Sequence, residues 1–123
     1  MAKLALKKLG FSLVTEPTVD GTEVFSLNTP FKFVTGEPFT VFVEIYGKSI
    51  HLFDDGFSLH EVLKSHVNMH YARNWDGIRR VVGIYGVALT PEGVFEHYAP
   101  MEKQDEAVSN FIRAMIALDD WLR

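Results

Sequence analysis

Two adjacent aspartates, Asp54 and Asp55, follow the apolar run Ile50-His51-Leu52-Phe53 and are the most conspicuous chemistry in this 123-residue chain. Paired carboxylates at a strand end can hold Mg²⁺, which takes oxygen ligands from one or two carboxylates together with water or phosphate. A small Mg-dependent hydrolase or nuclease using Asp54 and Asp55 is the activity such a site would serve. No lysine motif in the sequence completes it. The same stretch also satisfies turn chemistry. An aspartate accepts neighbouring backbone amides, Gly56 supplies a positive φ, and Ser58-Leu59-His60-Glu61 has the Ser-x-x-Glu form of a capping box. In that box the Ser58 hydroxyl accepts from the Glu61 amide, and the Glu61 carboxylate accepts from the Ser58 amide. These residue types favour a turn and cap built from Asp54, Asp55, Gly56, Ser58 and Glu61.

The histidines offer less. His66 and His70 have the i, i+4 spacing that presents two imidazoles to one metal on a helix, with His51 and His60 close in sequence. The predicted helix ends between them, and no glutamate follows His66 as the zinc-protease pattern requires. Helix-end histidines are the expectation, with no metal or other cofactor; His97 stands alone. No serine lies in a Gly-x-Ser-x-Gly elbow, and no phosphate-binding Gly-x-x-x-x-Gly-Lys-Ser/Thr loop appears. There is no cysteine, which removes disulfides, thiolate catalysis and cysteine-held zinc. No catalytic residue is nominated, and the balance leans away from an enzyme.

Binding surfaces are the remaining source of function. The net charge of −4 with only 12 basic residues argues against direct nucleic-acid binding, which relies on phosphate neutralisation. Arg73, Arg79 and Arg80 surround Trp75, a cluster that would grip a phosphate or an acidic partner, or form a solvated helix face. Ten Phe, four Tyr and two Trp exceed what one thin core obviously requires. Phe31, Phe33 and Phe39, in a stretch broken by Gly36 and Pro38, are the best candidates for an exposed apolar patch. Phe31, Phe33, Phe39, Arg73, Trp75 and Arg79 are therefore the binding candidates.

The elements that would position these residues follow from pattern. Pro38 to Tyr46 is dense in β-branched and aromatic residues, the strongest strand signal in the chain. Gly47-Lys48 is a two-residue hairpin connection to a returning strand, Ser49 to Phe53. There Ile50 and Leu52 point one way while His51 and Phe53 point the other. Phe11 to Thr15 and Thr22 to Leu27 are further strand candidates. Val87 to Thr90 and Val94 to Tyr98 form a hairpin turned by Pro91-Glu92-Gly93. One helix carries Leu59, Val62 and Leu63. A second starts with Asn74 as its cap and is stopped by Gly86. A third begins at Pro100 and carries the apolar stripe Val108, Phe111, Ile112, Met115, Leu118 and Leu122. Hairpin-linked strands and one apolar stripe per helix predict a two-layer α+β sandwich. Its sheet would be mainly antiparallel, of about four to six strands, with about three helices on one face. The length suits a single domain over residues 1–123.

Lys7 and Lys8 interrupt what would be a secretory signal, and no run is long enough to span a membrane, so a cytoplasmic, membrane-free chain is expected. Asn28-Thr29-Pro30-Phe31, the hairpin into Ile50-His51-Leu52-Phe53-Asp54-Asp55-Gly56, the Leu59 and Leu63 helix, and Tyr85-Gly86-Val87 occur in that order. Together, over Glu23 to Trp121, they resemble the bacterial and phage family catalogued as domain of unknown function 1828. That family carries no established activity, and the resemblance implies a setting in prophages and other mobile elements. The leading expectation is a non-catalytic protein-interaction module that modulates or inhibits a host defence nuclease or defence complex. Its acidic clusters (Glu102, Asp105, Glu106; Asp119, Asp120) would oppose a basic nucleic-acid channel. The alternatives are the Mg-dependent hydrolase at Asp54 and Asp55, and a self-associating module whose final helix forms a homodimer face.

Overall fold

A computed structural model describes residues 12–16, 23–33, 35–65 and 67–122. Lys7 and Lys8, the first residues of the two leading strand candidates (Phe11 and Thr22) and His66 lie outside the described residues. In chain order the elements are β1 (Ser12–Glu16), β2 (Glu23–Asn28), β3 (Val41–Tyr46), β4 (Ser49–Phe53), α1 (Phe57–Lys64), α2 (Ala72–Gly83), β5 (Ala88–Leu89), β6 (Phe95–Pro100) and α3 (Gln104–Leu122). A single 3-10 turn, Met101–Lys103, leads into α3.

The strands form one antiparallel sheet in the order β1-β2-β3-β4-β6-β5. The β3–β4 hairpin closes at Gly47-Lys48 with Tyr46 opposite Ser49, as the sequence predicts, and Gly47 takes a φ of 55°. Register then decides which residues share a face. Val43 pairs with Leu52 and Ile45 with Ile50, while Phe25 and Leu27 on β2 sit opposite Val43 and Val41. Val41, Val43, Ile50, Leu52 and Phe95 are all buried among Val62 of α1, Ile78 and Val82 of α2, and the α3 stripe. Strand residues of the other parity, among them Phe42, Glu44, His51, Phe53, Glu96 and Tyr98, are half-buried or exposed. The helices therefore cover one sheet face, and the architecture is the two-layer α+β sandwich.

Period decides the helices too. Val108, Phe111, Ile112, Met115 and Leu118 recur at helical spacing along α3 and are all buried. Each large apolar side chain withdrawn from water in this way contributes about 1.5–3 kcal/mol. The stripe thus packs on the sheet within the chain's own core. Pro100 closes β6 instead of opening α3. Asn74 does not cap α2, which starts at Ala72. Its side-chain Nδ2 donates to the Asn68 carbonyl at 2.6 Å, and the Asn68 side chain accepts from the His70 backbone amide at 2.9 Å. The turn ahead of the helix is tied by Asn68, so Asn74 falls inside the first helical turn.

Gly86 ends α2 as expected. Its φ is 79°, its amide donates to the Gly83 carbonyl, and the next amide, of Val87, reaches back to Val82. This paired closure is the one that calls for a left-handed residue after the last helical turn. A Cβ at Gly86 would stand 3.1 Å from the His97 ring, which is itself held by Nδ1 donating to the Gly86 carbonyl at 2.8 Å. Gly86→Ala is accordingly expected to destabilise the chain by about 1–2 kcal/mol, combining backbone strain with displacement of that ring. Urea unfolding at constant m-value checks it.

Candidate functional site

The Asp54-Asp55-Gly56 turn places its two carboxylates apart. Asp54 is fully buried. Its Oδ1 accepts from the Gly56 amide at 3.1 Å and the Phe95 amide at 2.9 Å, and its Oδ2 accepts from the Ser58 amide at 2.7 Å. Its own amide donates to the Phe95 carbonyl. Asp55 is exposed and takes a left-handed φ of 56°, which aspartate tolerates better than most residues. One carboxylate is committed to backbone donors inside the protein while the other faces solvent. The turn does not present the paired oxygen ligands that a Mg²⁺ site requires.

The capping box is not formed as the sequence predicts. The Ser58 amide is taken by Asp54, and the Ser58 hydroxyl donates to Met115 Sδ at 3.3 Å. The Glu61 carboxylate accepts from the Thr35 hydroxyl at 2.7 Å and lies 3.4 Å from Lys64 Nζ. The helix starts at Phe57, one residue ahead of Ser58, because Asp54 supplies the oxygens that the Ser58 side chain was expected to supply. Around Glu61, Phe33, Pro38 and Thr40 together with His60 and Lys64 of α1 line a cleft of about 330 Å³. Among the described residues no group of three or more His, Asp or Glu is placed to hold a metal ion.

The predicted aromatic patch is largely core. Phe33 and Phe39 are buried, with ring centroids 4.7 Å apart and nearly edge-on, and only Phe31 stays partly exposed, stacked on Phe39. The loop folds back through a Lys32–Pro38 bridge, which turns the two rings inward. The basic cluster is tied up along α2. Arg79 Nε donates to the Leu89 carbonyl at 3.3 Å with its guanidinium over the Trp75 ring, Trp75 Nε1 donates to the Met69 carbonyl, and Arg73 lies over Tyr71. Asp119 is buried, so Asp119 and Asp120 do not form a surface pair, whereas Glu102, Asp105 and Glu106 are exposed.

What the fold assembles instead lies on the uncovered sheet face. His51 of β4 stands across from Glu44 of β3 and from Tyr98 of β6. Its Nδ1 is 3.2 Å from Glu44 Oε1 and its Nε2 is 2.9 Å from Glu96 Oε2. A neutral imidazole has one N–H, so both carboxylates are hydrogen-bonded at once only by the doubly protonated ring. The ring also stacks on Tyr98, with centroids 4.2 Å apart and planes 6° from parallel, and on Phe53 at 4.8 Å; Phe53 in turn stacks on Phe42 at 5.4 Å. Tyr98, His51, Phe53 and Phe42 make a continuous row of rings, flanked by two carboxylates. Desolvation, followed by the Glu96 and Glu44 carboxylates, raises the Tyr98 phenol above its ordinary value of 10.0. Strand parity places His51 and Phe53 on this face from sequence. Glu44 and Glu96 are 52 positions apart (96 − 44), so their meeting at His51 has no local signal.

Two expected outcomes follow. Burial raises the Asp54 carboxyl above its ordinary value of 3.8, against the opposing pull of the Phe95, Ser58 and Gly56 amides. A raised folded value means that the stabilising contribution is complete below pH 3.8 and is lost as pH rises through the folded value. Asp54→Ala, which strands three amide donors, two of them buried, should cost roughly 3 kcal/mol or more. Asp54→Asn should lose the titration, so the parent's advantage over it narrows as pH climbs from about 4 toward neutrality; denaturant unfolding at a series of pH values reads both. His51→Ala leaves two partly buried carboxylates facing each other without a bridge. It should destabilise by about 1–2 kcal/mol at neutral pH, measured by urea unfolding. Compared with known proteins, this chain finds no match: no family model, no curated protein and no solved structure.

Proposed function

We propose that the chain is a non-catalytic protein-interaction module that docks through the uncovered face of its sheet. The observation that carries this reading is the row of stacked rings from Phe42 to Tyr98 on a face that no helix of the described residues covers, with Tyr98 61% exposed. Rings held flat by a sheet offer large contact area with little side-chain freedom left to lose, the property that makes aromatic residues dominate binding surfaces. The turn at Asp54 and Asp55 supports a metal-dependent hydrolase less well, because Asp54 is buried and saturated with backbone donors. No described helix is long and apolar enough to cross a membrane, which suits a partner met in solution.

The finer role is part of the same proposal. The resemblance to the family called domain of unknown function 1828 supports a phage or mobile-element setting, with a host defence nuclease as the protein modulated or inhibited. An acidic chain is suited to face the cationic channel of such an enzyme. A photo-crosslinking residue at position 98, compared with one at exposed Ile84 beyond α2, tests the docking face. Crosslinking of a discrete protein from 98 and not from 84, inside cells that carry the natural partner, is the expected result. Equal labelling at both positions, or none at 98, removes the face from consideration.

A further inference from the structure

We infer that the uncovered sheet face receives a basic protein segment, which sets an arginine guanidinium against Glu44, Glu96 and Tyr98. This rests on the docking reading above and adds the chemistry of the occupant. The first ground is charge. Across β2 to β6, the register assigns Glu44, Glu96 and His51 to this face and no lysine or arginine. Even with His51 carrying a proton between them, the two carboxylates leave a net negative charge. A second copy of the same face would bring four carboxylates together, and a nucleic acid would bring phosphates; like charges in contact oppose both. A cationic partner is the complementary one.

The second ground is the way the carboxylates are held. Each gives one oxygen to His51, and a carboxylate accepts through both of its oxygens. The Glu44 and Glu96 side chains are 17% and 25% exposed, so both are reachable yet partly withdrawn from water. In that setting a charge-assisted hydrogen bond is stronger than between fully solvated groups.

The third ground is shape, and it separates arginine from lysine. Tyr98 lies parallel to the His51 ring and remains largely exposed, a flat platform at the edge of the two carboxylates. A guanidinium is planar, stacks on aromatic faces and forms paired hydrogen bonds with carboxylates; an ammonium answers the charge alone. The same two carboxylates that raise the Tyr98 phenol set the negative field in which the cation would sit.

The test uses the full chain and a fluorescent arginine-rich peptide, followed by anisotropy, beside a lysine peptide and a citrulline peptide that keeps arginine's shape without its charge. The expected order is arginine tightest, lysine weaker and citrulline weakest. Glu44→Gln with Glu96→Gln, which keeps acceptors for His51, should weaken the arginine peptide by about tenfold or more, as should Tyr98→Ser at an exposed position. Neutralising Asp76 of α2 and Glu92 of the turn between β5 and β6, both exposed and away from this face, should leave binding unchanged. Thermal melts confirm that each variant is folded, and the Tyr98→Ser result stands alone if the double variant is not. The inference is overturned by equal binding of the arginine and citrulline peptides, by unchanged binding in the face variants, or by loss confined to the Asp76 and Glu92 variant. The crosslinking experiment keeps the two readings apart. A partner captured from position 98 through a segment without arginine sinks this inference and leaves the docking face standing; no capture there sinks the docking face itself.

Discussion

The carboxylate of Asp54 ties three elements at one buried point. It accepts the Gly56 and Ser58 amides, which begin α1, and the Phe95 amide, which begins β6, while the Asp54 amide returns a hydrogen bond to the Phe95 carbonyl. A helix N-terminus has amides with no partner in the helix, and a buried amide without an acceptor costs as much as a lost hydrogen bond. One side chain meets that need for α1 and also fixes where β6 joins β4. With β6 in place, Leu52 pairs with His97 and His51 with Tyr98, and the ring stack on the uncovered face is set by the same register.

One-sided layering has a second consequence. All three helices turn their apolar stripes to the parity of Val43, Ile50, Leu52 and Phe95, so the opposite parity is left to find its own stability. It does so by cross-strand contact, with rings stacked from strand to strand and an imidazole bridging two carboxylates. Cross-strand pairs of this kind contribute modestly each, but they lock their members into fixed rotamers. A surface with fixed rings and fixed charges has less entropy to lose on binding than a loop, which is why this face suits docking better than the loop carrying Phe31.

The basic cluster shows the converse. Arg79 and Trp75 look like a phosphate grip in sequence. In the fold, Arg79 donates to a carbonyl of the two-residue edge strand β5 and Trp75 to the Met69 carbonyl. These bonds hold an edge strand and a loop, and an edge whose carbonyl is already bonded is a poorer template for another chain.

The sequence by itself determined the β3–β4 hairpin, the parity that separates Ile50 and Leu52 from His51 and Phe53, the α3 stripe and the helix stop at Gly86. Each depends on residues within one element or one turn, where period and backbone geometry act directly. It also marked the Asp54 turn as a joint. Only the tertiary structure decided what that joint binds, because the Phe95 amide lies 41 positions away (95 − 54), while the Ser58 amide goes to Asp54 in place of a capping box. The burial of Phe33 and Phe39 followed from a loop folding back on itself, which composition does not encode. The meeting of Glu44, His51, Glu96 and Tyr98 needed three strands in register. Side chains brought together by pairing between strands leave no spacing in the chain by which to find them, and the candidate site of this protein is built from such side chains.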